Sequence, residues 1–84
     1  MYKVILEPSA QQDLKKLAKN IYARVIIVLG KLEADPRYRG AKKLKGFDHQ
    51  WRARVGDYRV LYEIDDNKNV VHIYRIAHRK EVYR

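Results

Sequence analysis

The stretch Trp51-Arg52-Ala53-Arg54-Val55-Gly56-Asp57-Tyr58-Arg59-Val60-Leu61-Tyr62 decides the fold. Two β-prone runs flank Gly56-Asp57, the kind of two-residue connection that closes a β-hairpin. In that register Val55 pairs with Tyr58, and Arg54 lies directly opposite Arg59. Side chains alternate along a strand. One face therefore carries Trp51, Ala53, Val55, Tyr58, Val60 and Tyr62, a core face. The other carries Arg52, Arg54 and Arg59. Like charges directly opposite each other weaken a sheet, so such a face calls for something anionic. Composition alone leaves a simpler alternative open, in which these arginines are a solvated surface.

Working outward, Asp65-Asp66-Asn67-Lys68-Asn69 is a turn signal, and Val70–Ala77 is a third β-rich run. Its register against Tyr58–Ile64 is ambiguous by one residue, so its core face is left open. On the other side, residues 37–50 form a polar connection with Arg37, Arg39, Lys42, Lys43 and Lys45 set against the single acid Asp48. Before it, Ala10, Leu14, Leu17, Ala18 and Ile21 recur at helical spacing, with Ser9 placed to cap the first turn. Asn20 marks a break. A second stripe, Ile21, Val25, Ile26, Leu29 and Leu32, ends near Asp35, because Pro36 disfavours helix at its predecessor. Met1–Leu6 is an opening strand. The expected fold is α+β, in the order β-α-α-β-β-β. A helical hairpin packs on one face of a four-stranded, largely antiparallel sheet, and the other face stays open, basic and concave.

The 84 residues make a single domain, residues 1–84, with 46% hydrophobic content and a net charge of +9. That balance favours nucleic acid, an anionic surface or an acidic protein. There is no cysteine, so disulfides and thiolate-held metals are excluded. No apolar run is long enough to span a membrane, and Met1–Leu6 is too short for a signal peptide, so the cytoplasm is the expected location. His49, His72 and His78 lack a zinc spacing, the acids do not cluster for a hard cation, and no glycine-rich phosphate loop is present. The expected metal and cofactor content is none. His72, inside an apolar run, reads as a packed residue. Trp51, Tyr58 and Tyr62 read as core, and Tyr38 as a loop anchor.

A basic, aromatic-bearing groove suits RNA. RNA cleavage without metal requires an aligned 2′-hydroxyl, cations for the phosphorane, and proton transfer to and from the oxygens. Arg52, Arg54, Arg59 and Arg79 could supply the cations, and Tyr83 or His78 the proton transfer.

The strand–helix–helix opening, Lys43-Leu44-Lys45-Gly46, Trp51-Arg52-Ala53-Arg54-Val55, Tyr58-Arg59-Val60-Leu61-Tyr62 and His78-Arg79-Lys80-Glu81-Val82-Tyr83 together resemble the RelE toxins of the RelE/ParE superfamily of toxin–antitoxin systems. The resemblance covers nearly the whole chain. It implies a toxin that enters the ribosomal A site and cuts messenger RNA without metal, leaving a 2′,3′-cyclic phosphate and a 5′-hydroxyl. Its implied partners are mRNA, the ribosome and an acidic antitoxin. By position, Arg52 and Arg54 match basic groove residues, Arg59 a phosphate-contacting arginine, Arg79 the arginine that stabilises the reacting phosphate, and Tyr83 a tyrosine that orients the nucleophile. Some members carry lysine at positions 52 and 54. Arginine stays protonated, so neither Arg52 nor Arg54 serves as the base, and the proton acceptor is left open between Tyr83, which would need a lowered phenol pKa, and His78. Arg37, Arg39, Lys42, Lys43 and Lys45 are the expected RNA- or ribosome-binding set. Two alternatives remain: a ParE-like gyrase poison and a non-catalytic nucleic-acid-binding module.

Overall fold

The computed structural model describes residues 1–46 and 49–82. Strand β1 (Lys3–Leu6) is followed by helices α1 (Pro8–Lys15) and α2 (Lys19–Ala34), then strands β2 (Ala41–Lys43), β3 (Gln50–Val55), β4 (Tyr58–Asp65) and β5 (Val70–His78), and a last turn of helix α3 (Arg79–Val82). The sheet has five strands in the order β1-β5-β4-β3-β2. β1 pairs parallel with β5 and the other pairings are antiparallel.

The expected strand count was one short. Ala41–Lys43, inside the polar connection, pairs with β3 through Ala41–Ala53, Lys42–Arg52 and Lys43–Trp51. A strand of three residues with two lysines has no alternating apolar pattern to announce it. It forms because β3 offers an unpaired edge, and a short, lysine-bearing edge strand protects that edge from further pairing.

The hairpin stands in the expected register, with Val55 opposite Tyr58 and Arg54 opposite Arg59. Gly56 has φ +59° and Asp57 does not share the positive sign, the pattern of a type II′ turn. The register of the third run has a physical answer. Leu61 pairs with Arg75 but Tyr62 pairs with Ile73, so Tyr74 is an extra residue. This bulge reverses the side-chain parity of β5. Val71 and Ile73 face the core on one side of it, and Ile76 on the other.

Helix α1 starts two residues earlier than Ser9 capping would allow, with Glu7 at the cap position. Pro8 occupies the first turn, where its missing N–H costs nothing. Ser9 is thereby freed, and its Oγ donates to the Tyr74 carbonyl at 2.6 Å. Asp13 Oδ2 accepts from the Ile76 N–H at 2.9 Å. β1 ends at Leu6, beside Ile73. Side chains of α1 thus take over the bulged part of β5 that β1 does not reach. The break between the helices lies at residues 16–18 rather than at Asn20.

The core lies between α2 and the sheet: Val25, Val28, Leu29 and Leu32 against Ala53, Val55, Val60, Tyr62, Ile64, Val71 and Ile73. Ile26, expected on the buried stripe, is 43% exposed, and Val28 takes the inward position instead. Tyr62 is fully buried, and its hydroxyl donates to the Pro36 carbonyl at 2.6 Å, fixing the end of α2. Burial pushes the Tyr62 phenol pKa well above its ordinary value. Among the described residues, no helix is long and apolar enough to cross a membrane.

A second clamp joins the two chain halves. Arg37 forks onto Asp66 at 3.1 and 2.8 Å, and the Tyr2 hydroxyl donates to the same carboxylate at 2.7 Å. Those hydrogen bonds hold the Asp66 carboxyl down at about 2. A carboxyl depressed in the folded state stabilises it above the unfolded value, and that contribution is lost as pH falls. The window runs from 3.8 down to about 2. Across it, the urea midpoint of the native chain should fall more steeply than that of Asp66→Asn. Parallel curves for the two proteins would refute the clamp.

Candidate nucleic-acid interface

The sheet face away from α2 is built by strand alternation on β2 and β3. Lys42 and Arg52 are paired across the ladder, and Arg54 follows two residues on. With Gly40 and Gly56 they line a cleft of about 440 Å³. Lys42 and Arg54 are exposed and Arg52 is half-buried. Among the described residues its lining is Gly40, Lys42, Arg52, Arg54 and Gly56, with no carboxylate, and its field is suited to phosphate.

Arg59 stands opposite Arg54 but does not share its exposure. It is only 4% exposed, the one buried charged residue among those described, and its Nη1 donates to the Tyr58 carbonyl at 3.3 Å. Its register partner on β5 is Ala77, whose small side chain leaves room for a guanidinium beside it. A guanidinium remains charged when buried. Arg59 therefore places a fixed positive charge beneath the surface.

The root of the C-terminal segment is held beside this cleft. The Arg79 N–H donates to the Asp57 carbonyl at 2.7 Å, in the turn next to Gly56. The Arg79 side chain is 58% exposed, with Nε 4.0 Å from the Asp57 carboxylate. His78 packs edge-on against Tyr58, with ring centroids 5.3 Å apart at 84°. Its Nδ1 lies 3.2 Å from the Lys80 backbone nitrogen. A backbone N–H only donates, so Nδ1 must accept, and the neutral ring carries its proton on Nε2. His78 in this state offers a donor and not a base. Tyr83, the expected nucleophile-orienting residue, lies outside the described residues.

Arg75 is the supporting residue that the strand pattern could not single out. Its Nε donates to Asp13 and its Nη2 to Glu81, both at 3.0 Å. It therefore ties α3 to α1. The bulge at Tyr74 turns it in this direction, and the apolar pattern of residues 70–77 alone does not place that bulge.

The basic connection divides. Lys42 joins the cleft, whereas Lys43 alternates onto the opposite face, across from Trp51. Arg39 and Lys45 are exposed outside the cleft lining. Arg37 is engaged by Asp66 and lies 5.6 Å from the centre of the Trp51 ring. It acts as a structural clamp rather than as part of the cationic cleft. His72 Nδ1 sits 2.8 Å from Glu7 Oε1, a pair that joins β5 to the start of α1. Among the described residues, no three His, Asp or Glu side chains are grouped to hold a metal ion.

Residues 4–83 match the family model described as the ParE toxin of the type II toxin–antitoxin system parDE. The chain is 37% identical over 84 residues to toxin RelG of Mycobacterium tuberculosis, covering 99% of this chain and 97% of that one. The chain belongs to the RelE toxin family of type II toxin–antitoxin systems. Solved relatives of this toxin include the M. tuberculosis RelBE2 toxin–antitoxin complex, with 38% identity, TM-score 0.79 and coverage of 92% and 96% of the two chains. The archaeal RelE–RelB complex of Pyrococcus horikoshii shares 31% identity, with TM-score 0.82 and coverage of 93% and 94%. The toxin's fold is thus that of a RelE-type α+β domain.

Proposed function

We propose that this toxin is a ribosome-dependent mRNA endonuclease that cuts in the A site, and that an acidic antitoxin neutralises it. The observation that carries the reading is the convergence of Lys42, Arg52 and Arg54 in one cleft, with the Arg79 segment rooted at its edge. Full-length similarity to toxins named RelG and RelE, and to RelE–RelB complexes, supports it.

In this reaction the RNA 2′-oxygen attacks the adjacent phosphorus, and the bond from phosphorus to the 5′-oxygen breaks. The products are a 2′,3′-cyclic phosphate and a 5′-hydroxyl. One proton leaves the attacking 2′-hydroxyl, and one is delivered to the departing oxygen. No metal is needed if cationic donors meet the charge that builds on the phosphorane. Arg52, Arg54 and Arg79 meet it directly. Their planar forks suit a phosphate with several exposed oxygens. Arg59, from beneath, keeps the local potential positive. By its position in the family motif, Tyr83 takes the proton from the 2′-hydroxyl. His78, with its proton on Nε2, can hydrogen-bond to the departing oxygen, which takes its proton from water. Lys43, Arg39 and Lys45 extend the positive field toward ribosomal RNA.

The deciding experiment is cleavage of a defined mRNA, with and without programmed ribosomes, in metal-controlled buffer. Cutting confined to the A-site codon and dependent on the ribosome is the expected result. The match to the ParE model supports a second reading, poisoning of DNA gyrase. It would be favoured if folded toxin leaves the mRNA intact but blocks gyrase supercoiling. Within the leading reading, Lys42→Ala should lower the salt dependence of RNA binding, with the log–log slope reduced by about 0.7 for one lost single-strand phosphate contact. An unchanged slope would remove Lys42 from the interface.

A further inference from the structure

Beside the cleft lies a second groove, of about 380 Å³, between α2 and the edge of the sheet. Its floor is apolar: Ile27, Val28 and Val55, with Tyr38 at one end. Its cationic residues are Arg24, Lys31 and Arg54, and among the described residues no carboxylate lines it. Ile27 is 61% exposed there. Single exposed apolar residues are common, but this one sits in a concavity walled by like charge. The combination suits a ligand with a flat apolar part and an anionic part.

The groove is continuous with the cleft. Both are lined by Arg54 and by Gly40. Gly40 stands where β2 begins, next to Ala41, so the passage rounds the end of the edge strand. The missing side chain keeps this saddle low. A Cβ on Gly40 would come 2.7 Å from Tyr38 Cε2. Lys31 Nζ lies 5.7 Å from the centre of the Tyr38 ring, which holds that cation over the groove.

We propose that this groove is a second nucleotide subsite, which receives the RNA strand where it leaves the cleavage cleft over Gly40. The base or ribose rests on Ile27 and Val28, and the phosphate is bracketed by Arg24, Lys31 and Arg54. The inference rests on the RNA-cleaving reading and extends it. It assigns α2 a part in binding that no catalytic chemistry requires. A strand anchored at both places would be held straight across Arg52 and Arg54.

The test is methyl and backbone NMR of the full-length chain with RNAs carrying 2′-O-methyl groups, which cannot be cut. A dinucleotide should shift the Gly56 amide and the Arg54 side chain only. A hexanucleotide should also shift the Ile27 and Val28 methyls and bind about tenfold more tightly, for one further phosphate and one further base. In Lys31→Gln and in Ile27→Ser, both at exposed positions where the fold should survive, that gain from length should drop below about twofold. Cleft shifts without groove shifts, or a gain that persists in both variants, would overturn the subsite while leaving RNA cleavage standing. Groove shifts caused by an acidic antitoxin peptide and not by RNA would also overturn it, in favour of protein docking. No RNA-induced shift anywhere would overturn the subsite, while the cleavage reading stands or falls on the ribosome assay.

Discussion

Arg79→Ala is expected to slow A-site cleavage by about 100- to 1000-fold, the usual loss when one donor to a developing oxyanion is removed. The variant should remain folded. Its side chain is 58% exposed, and the contact that roots α3 uses the backbone N–H of residue 79, which alanine retains. The loss should therefore appear in the single-turnover rate on ribosomes and leave the unfolding midpoint near that of the wild type. Arg79→Lys is the informative companion. It keeps the charge but gives up the planar fork, and should recover part of the rate. Cleavage by Arg79→Ala within about threefold of wild type, well short of a lost transition-state donor, would remove Arg79 from the reaction.

Leu32→Ala should have the largest effect on stability. Leu32 is fully buried at the centre of the α2–sheet interface. Truncating such a leucine costs about 2–5 kcal/mol, lost burial plus a cavity. Domains of this size have only about 5–15 kcal/mol in total, and a chain of 84 residues has a thin core. The isolated variant should unfold at much lower denaturant, with an unchanged slope. An antitoxin that binds only the folded toxin should restore much of the loss by mass action. Ile27→Ala, one turn away and 61% exposed, is the control that should cost little. Equal losses at positions 27 and 32 would mean that α2 does not pack as described.

The contrast between these two leading predictions reflects how the molecule is organised. In the proposed reaction Arg79 acts on a surface whose carrier segment is tied down by a few polar contacts: Asp57 to its backbone, Arg75 to Glu81, and the Tyr58–His78 ring pair. Leu32 belongs to the body on which that surface is built. The toxin's chemistry and its stability can therefore be altered separately, except at Arg59. There, a buried charge lies under the site. Changing it would disturb both.

What the sequence by itself determined is local. Residues 51–62 contain their own turn and their own alternation, so hairpin, register and the facing of Arg52, Arg54 and Arg59 follow from neighbours a few positions apart. The same holds for the existence of two helices and for the end of α2 before Pro36. The family was legible because its motifs are short and ordered along the chain.

Only the tertiary structure decided what depends on distant partners. β2 exists because β3 has an edge to fill. The face of β5 depends on a bulge at Tyr74, and that bulge is matched by Ser9 and Asp13, more than 60 positions away. Arg37 and Lys42 have the same charge and sit five residues apart, yet one is clamped by Asp66 and the other opens onto the cleft. Charge is a property of the residue, but the potential a ligand meets depends on which carboxylates the fold brings within a few ångströms. That is why the cations could be counted from the sequence and only the fold could sort them.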